Sequence, residues 1–537
     1  MFRLYFSKVE NISKQIFTLL ILALVLRIFN FSFPSLTADE ARIAFRGYTL
    51  SRNGADELGR KFPFVFNSLA DYQLPLTSYI SAAGALFFGK SDLGARIPFV
   101  ILGLVLVVLT YKVAVLLSVE RSFPLFSSLA VATSPILIFL SKIPNESIVL
   151  TTLLLWLFYL LIQKKVNKLL ISLAVILLLL TSKFSWFIVS PFIGFSVFIF
   201  RDNLKFKNRL HISLIGLILS ILIFTLFLQI PQSKRSLLEN NLTLFSDMTI
   251  TNGINKIRGQ SIESGLPRPL GQVLANKSHF VFVGLLNWLS NLQPAIFFSQ
   301  FDKNGNLGFI NMGAFPKVTI IPAILGIVFL IRTGRSKILL YLLLITFPSF
   351  FIYPGFSPGV VIPALPFIAF LIAFGFVNLK KIYMKLIIGI MVFELFMNFT
   401  FLTAQVKLTT DLRPQWVKSV AERIYQLSRN NKLLIADDIV VDPTSFIFWY
   451  SDLNEKDAYL DVPYPYKFRQ TELGNVKIIG ASNVIRNCGA GENIKFISGK
   501  RDLERIKNLN VSTFSESFSN SRDDILGYLY ESGVCIN

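Results

Sequence analysis

An all-α polytopic membrane protein, with helices in its outer loops and a small mixed α/β domain at its C-terminal end, is the fold class this sequence predicts. Three observations lead there. Of 537 residues, 53% are hydrophobic and only 16% are charged, whereas soluble chains carry about a quarter charged residues. The apolar residues come in runs near the roughly 20 residues that a helix needs to cross a hydrocarbon core. The basic residues between the runs fall on alternate loops, as the bias toward positive cytoplasmic loops requires. In lipid every backbone polar group must be satisfied within its own segment, so the runs are helices.

In chain order, about eleven spans are expected at Ile16–Phe33, Phe99–Leu117, Pro124–Leu140, Ser147–Ile162, Leu169–Thr181, Phe184–Phe200, Leu210–Ile230, Val318–Ile331, Ile338–Ile352, Gly359–Val377 and Leu386–Leu402. The first run has no small-residue cleavage pattern after it and more spans follow, so it reads as a retained helix. With Arg3, Lys8 and Lys14 inside, the clusters Lys164/Lys165/Lys168, Arg201/Lys205/Lys207/Arg209, Arg332/Arg335/Lys337 and Lys380/Lys381/Lys385 all fall inside as well. The expected location is the cell (plasma or inner) membrane, with a cytoplasmic N-terminus.

Residues 1–402 then form the transmembrane module, with outer loops at 34–98 and 231–317, and residues 403–537 form an extracytosolic domain. In the first loop Leu76–Phe88 is too short to span and reads as an interfacial or re-entrant helix. In the second, Phe280–Phe298 reads as an amphipathic helix on the surface. In the tail, Gln415–Ser428 has an amphipathic helical pattern with Trp416, Val420, Ile424 and Leu427 on one face. Lys432–Ala436, Val476–Gly480 and Ile494–Ile497 read as short strands.

The net charge of +21 does not point to nucleic acid. The tail holds about 17 basic and 17 acidic residues, so the surplus lies in the membrane module. There it orients helices and holds anionic lipid or phosphate. Cys488 and Cys535 and the histidines His211 and His279 have no metal-ligand spacing. In an outside tail the two cysteines either close a disulfide loop of about 47 residues or stay as free thiols.

Acids and bases concentrate in the first outer loop. Asp39 and Glu40 stand side by side just beyond the first span, followed by Asp56, Glu57 and Asp71 among Arg42, Arg46, Arg52, Arg60, Lys61 and Arg96. Such a loop can hold a phosphate with its bases and deprotonate a hydroxyl with a carboxylate. The Asp39–Glu40 pair reads equally as a helix N-terminal pair complementing the dipole. Glu146 lies at an outer helix mouth, as an active-site acid or as a cap on the following helix. Lys183, at the same level, is either a phosphate ligand or a snorkelling lysine.

Several stretches together resemble the GT-C class of membrane glycosyltransferases, in particular glycosyltransferase family 39 (the protein O-mannosyltransferase and aminoarabinose transferase type). They are Asp39-Glu40-Ala41, Asn53 to Gly59 with Pro63, Asp71 to Leu76 with Tyr79, and Phe88-Gly89 before Ala95-Arg96-Ile97-Pro98. Ser134-Pro135, Ser141-Lys142 through Glu146, Asn287-Trp288 to Phe297-Phe298, and Pro363 with Pro366 follow in order. The resemblance spans roughly Ile16 to Leu402. It implies transfer of a sugar from a polyprenyl-phosphate donor to a hydroxyl acceptor (protein, lipid or glycan) on the extracytosolic face, with inversion. It assigns the catalytic base to Asp39 and a second active-site acid to Glu146. Substrate-binding candidates are Glu40, Asp56, Glu57, Asp71, Tyr72, Arg96, Lys142 and Lys183, with Arg96, Lys142 and Lys183 facing the leaving phosphate. No cofactor is assigned, and a divalent cation near the acidic loop remains an option.

The chain departs from the family pattern at Gln73, where relatives often have Lys, and at Lys142, where they often have Arg, which loses a bidentate fork. An Arg common before the paired prolines is missing around Gly359-Val360. Two other readings of the chain exist. A lipid-linked sugar flippase would carry midplane charges and repeated halves, whereas here the acids cluster at the outer mouth without a repeat. A catalytically inactive, glycan-binding relative is favoured by the phosphate-site departures and opposed by the intact Asp39–Glu40 pair.

Overall fold

A computed structural model describes residues 2–30, 35–57, 59–66, 73–117, 120–163, 167–200, 206–229, 248–272, 278–301, 312–334, 336–351 and 358–406. In the tail it describes Lys418, Ala421, Arg423, Ile424, Gln426 and residues 433–436, 443–451, 471–473, 476–479, 495–499, 513–519 and 525–531. Asp71, Tyr72, Cys488, Cys535, Trp416, Val420 and Leu427 lie outside the described residues. The chain divides into two compact units: residues 1–29, 100–141 and 146–399, and residues 30–99, 142–145 and 400–537.

The helices in chain order are α1 (Phe2–Ile28), α2 (Ala38–Asn53), α3 (Leu76–Phe88), α4 (Asp92–Leu117), α5 (Phe123–Ala132), α6 (Pro135–Leu140), α7 (Glu146–Ile162), α8 (Lys168–Leu179), α9 (Lys183–Phe200) and α10 (Phe206–Leu228). They continue as α11 (Met248–Glu263), α12 (Arg268–Gln272), α13 (Ser278–Asn291), α14 (Pro294–Phe298), α15 (Ile320–Arg332), α16 (Lys337–Thr346), α17 (Pro358–Val361), α18 (Leu365–Asn378), α19 (Lys381–Val406) and α20 (Pro443–Tyr450). Among the described residues, 4 helices are long and apolar enough to cross a membrane by length and composition: Asp92–Leu117, Leu210–Leu228, Phe280–Phe298 and Gly359–Asn378. Phe280–Phe298, expected on the surface, is thus apolar enough to cross. Its helix is interrupted after Asn291 and restarts at Pro294.

The first unit is built around α18, whose residues from Leu365 to Phe376 are all buried. It lies against α15 at glycines: a Cβ on Gly326 would strike the Leu371 carbonyl, and one on Gly375 the Pro322 carbonyl. Small residues let apolar helices approach this closely, and dispersion then holds them. Beside this seam Tyr341 packs among aromatic rings, with centroids 4.8 Å from Phe158, 5.1 Å from Phe195 and 5.5 Å from Phe192. The α10 helix is different. Its Leu217, Ile218, Ile221, Leu222 and Phe224 are exposed, a face suited to hydrocarbon and too large for one in water.

The expected single span Pro124–Leu140 is two helices. Ser134 precedes Pro135, and the residue before a proline is biased away from the helical region toward extended backbone. Ser134 accordingly has φ −62° and ψ 117°, two residues beyond the end of α5 at Ala132. It restarts the chain as the N-cap of α6, its hydroxyl accepting from the Leu137 N–H and donating to the Ala314 carbonyl at 2.7 Å.

In the second unit, α2 and α3 pack where Gly47 meets Ser81 with no room for a Cβ. Leu50, Phe66 and Ala82 form a small core with Tyr79 beside it. The tail contributes a 6-stranded sheet of order β2-β3-β1-β4-β6-β5. Its strands are β1 (Leu433–Ala436), β2 (Thr471–Leu473), β3 (Val476–Ile479), β4 (Lys495–Gly499), β5 (Thr513–Ser519) and β6 (Ile525–Glu531). The central β1 runs parallel to both β3 and β4, pairing Ile435 with Ile478 and with Ile497, while the outer pairs are antiparallel.

Candidate functional site

The first-loop acids are sorted by the start of α2. Thr37 is extended (φ −78°, ψ 170°) and caps the helix: its hydroxyl accepts from the Glu40 N–H at 3.4 Å, and the Glu40 carboxylate accepts from the Thr37 N–H at 3.0 Å. This reciprocal pair is a capping box, which satisfies two donors a helix start leaves open. Glu40 is therefore turned back and buried. Asp39, one residue earlier, is turned outward, its side chain 83% exposed, with the Arg42 guanidinium 3.3 Å from its carboxylate.

Further along, the loop is tied by ion pairs, one buried and one with a partly exposed arginine. Arg46 Nε donates to Glu57 at 3.0 Å, and Arg46 Nη1 to the Gln73 side-chain oxygen at 2.8 Å. The guanidinium also lies 5.1 Å from the Phe66 ring centre. Both side chains of the Arg46–Glu57 pair are enclosed. Gln73 thus accepts a hydrogen bond from an arginine, a place a lysine could not fill. Asp56 takes the Arg60 guanidinium at 2.7 Å and the Arg60 N–H at 2.8 Å. Asp56 and Glu57 fold the loop; among the described residues no three acids, histidines or cysteines gather as a metal site. Among the described residues, Glu57 and Asp56 are engaged by arginines and Glu40 by a helix start.

Arg96, near the start of α4, is buried and donates to the Lys142 carbonyl at 2.8 Å. Both belong to the second unit, where residues 142–145 join the first loop. Glu146 and Lys183 belong to the first unit and open α7 and α9 respectively, Glu146 being half-buried.

The tail supplies groups that sequence reasoning missed. Arg42, beside Asp39, donates to the Ser445 hydroxyl of α20 at 3.4 Å. The Phe45 and Phe448 rings stack with centroids 5.0 Å apart. Lys90 donates to the Ser451 carbonyl and lies 5.7 Å from the Phe45 ring centre. Burial foremost, with Asp92 and Glu40, pushes the Tyr450 phenol above its ordinary value; Arg96 and a backbone hydrogen bond at Leu36 pull it down. The only sequence signal was the aromatic run Phe446-Ile447-Phe448-Trp449-Tyr450 behind Pro443, which does not name its partner.

No protein-family model matches the chain, and no curated protein matches it. Among solved structures the chain is similar to ArnT from Cupriavidus metallidurans bound to undecaprenyl phosphate, at 11% identity and TM-score 0.45, covering 95% of this chain and 97% of that one. It is also similar to the Archaeoglobus fulgidus oligosaccharyltransferase in complex with Zn and sulfate, at 11% identity and TM-score 0.49, covering 96% of this chain and 72% of that one.

Proposed function

We propose that this chain is a polytopic membrane glycosyltransferase of the GT-C class, resembling family 39. It moves a sugar from a polyprenyl-phosphate donor to a hydroxyl acceptor on the extracytosolic face. The acceptor oxygen attacks the anomeric carbon, the bond from that carbon to the phosphate oxygen breaks, and the hydroxyl proton passes to Asp39. The products are the glycosylated acceptor, inverted at the anomeric carbon, and the polyprenyl phosphate. Glu146 is the second active-site acid, and Arg96, Lys142 and Lys183 supply positive charge toward the leaving phosphate. The single observation that carries the reading is the division of labour at α2. Glu40 is held in the capping box while Asp39 is presented to open space beside Arg42, as a general base needs.

The test uses radiolabelled polyprenyl-phosphate sugars with the purified protein in liposomes and a panel of hydroxyl acceptors. Wild type is expected to transfer label. Asp39→Asn keeps shape and removes the proton acceptor, so turnover at saturating donor should fall about 10²–10⁴-fold with donor affinity kept. Glu263→Gln, at the exposed end of α11, should match wild type. Near-normal turnover in Asp39→Asn would falsify the assignment, and label crossing the bilayer unchanged would point instead to a flippase.

A further inference from the structure

Arg27 of α1 is fully buried in the first unit, in the outer half of the expected first span. Among the described residues no carboxylate lies within ion-pair distance of it. Its charge is met by carbonyls and a hydroxyl. Nε donates to the Ser141 hydroxyl at 3.2 Å, and Nη1 donates to the Ala23 carbonyl at 3.1 Å and the Ala132 carbonyl at 3.3 Å. Nη2 is enclosed without a hydrogen-bond partner.

Two of these partners mark helix ends. Ala132 is the last residue of α5, and Ser141 is the C-cap of α6, its own hydroxyl donating to the Leu137 carbonyl. The C-terminal end of a helix carries partial negative charge, and a cation placed there is stabilised. A buried cation is costly unless its surroundings compensate it; here two helix ends do so. Space for the guanidinium comes from Gly103 of α4, where an added Cβ would lie 2.7 Å from Arg27 Nε and would strike the Ser141 hydroxyl. One arginine thereby joins four helices where the α5–α6 pair bends and the chain runs on to Glu146.

We propose that Arg27 is a positioning residue of the site. It fixes the bend between α5 and α6 and hence the course of the chain from Ser141 into Glu146. The role rests on reading Glu146 as an active-site acid.

The test joins a structural and a kinetic readout in the full-length protein. In a Glu146→Cys background, the alkylation rate of the introduced thiol by a membrane-impermeant maleimide is followed by peptide mass spectrometry, apart from Cys488 and Cys535. Arg27→Gln should raise that rate at least threefold. Gly103→Ala should raise it as well, because it displaces the clasp while leaving the charge. Arg27→Lys should return the rate to within twofold of the parent. With Glu146 restored, Arg27→Gln should lower kcat for sugar transfer at least tenfold with donor KM within twofold, and Arg27→Lys should recover most of it. A variant that fails to give a monodisperse protein is replaced by Ser141→Ala, read the same way. Unchanged labelling in both Arg27→Gln and Gly103→Ala overturns the proposal. Changed labelling alongside normal transfer in Glu146→Gln leaves the clasp standing and removes the catalytic reading of Glu146.

Discussion

Asp39 and Glu40 are neighbours in the chain, yet their places differ because adjacent helical residues diverge by about 100° around the axis. Geometry assigns one to the cap and leaves the other exposed. The remaining loop acids show the same economy of position. Glu57 and Arg46 are both enclosed, and removing one partner strands the other's charge, which costs about 3–5 kcal/mol. Glu57→Gln is therefore expected to lower the melting temperature of the purified protein markedly. The double variant Arg46→Met/Glu57→Leu should recover much of the loss; a mild effect in the single variant would mean the pair is wet. Tyr450 gives a pH signature. A phenol raised in the fold contributes stability fully present below its unfolded value of 10.0 and lost as pH rises through its folded value. Alkaline melts should show stability declining once pH passes the unfolded value of 10.0, with a shallower decline in Tyr450→Phe; equal slopes would remove this account.

At the scale of elements, two contacts are decided by what is small. Gly326 and Gly375 let α15 and α18 meet backbone to backbone, an arrangement that depends on close packing because lipid gives apolar helices little hydrophobic reason to associate. Gly375→Leu is expected to abolish a monodisperse peak in size-exclusion chromatography, whereas Gly389→Leu on α19, where a Cβ meets nothing, should behave as wild type. Elution unaltered in both would show that the seam is dispensable. The α19 helix also reaches across: the Glu394 carboxylate accepts from the Val318 N–H at 3.2 Å and from the Lys317 N–H, capping the turn that leads into α15. The α20 helix plays a comparable part in the second unit, its Ser445 and Phe448 fastening onto Arg42 and Phe45 of α2.

At the scale of the molecule, the charge surplus and its distribution carry the topology. Basic clusters on alternate loops predict an inside N-terminus and an outside tail. A reporter that is active only in the cytoplasm, fused after Asn537, is expected to be silent, and the same reporter fused within the loop at Lys164–Lys168 active. A bright C-terminal fusion means the number of spans is off by an odd count.

Much of this was legible in the sequence, because it depends on quantities local in the chain. Apolar run length marks Asp92–Leu117, Leu210–Leu228 and Gly359–Asn378 as long enough to cross a membrane. The acids after the first span mark a helix start whose dipole they complement. The sequence also contained the Ser134-Pro135 break, but the apolar content around it outweighed the proline rule in reading Pro124–Leu140 as one helix. Other features were beyond it for a physical reason: they depend on residues distant in the chain meeting in space. That Asp56 and Glu57 are held by Arg60 and Arg46, and that Gln73 answers Arg46, depends on how the loop closes. That Ser445 lies on Arg42, some 400 residues away, and that Arg27 is compensated by two helix ends rather than by an acid, follows from packing alone. Apolar run length and periodicity determined which segments are helices; tertiary structure decided which side chains share an environment.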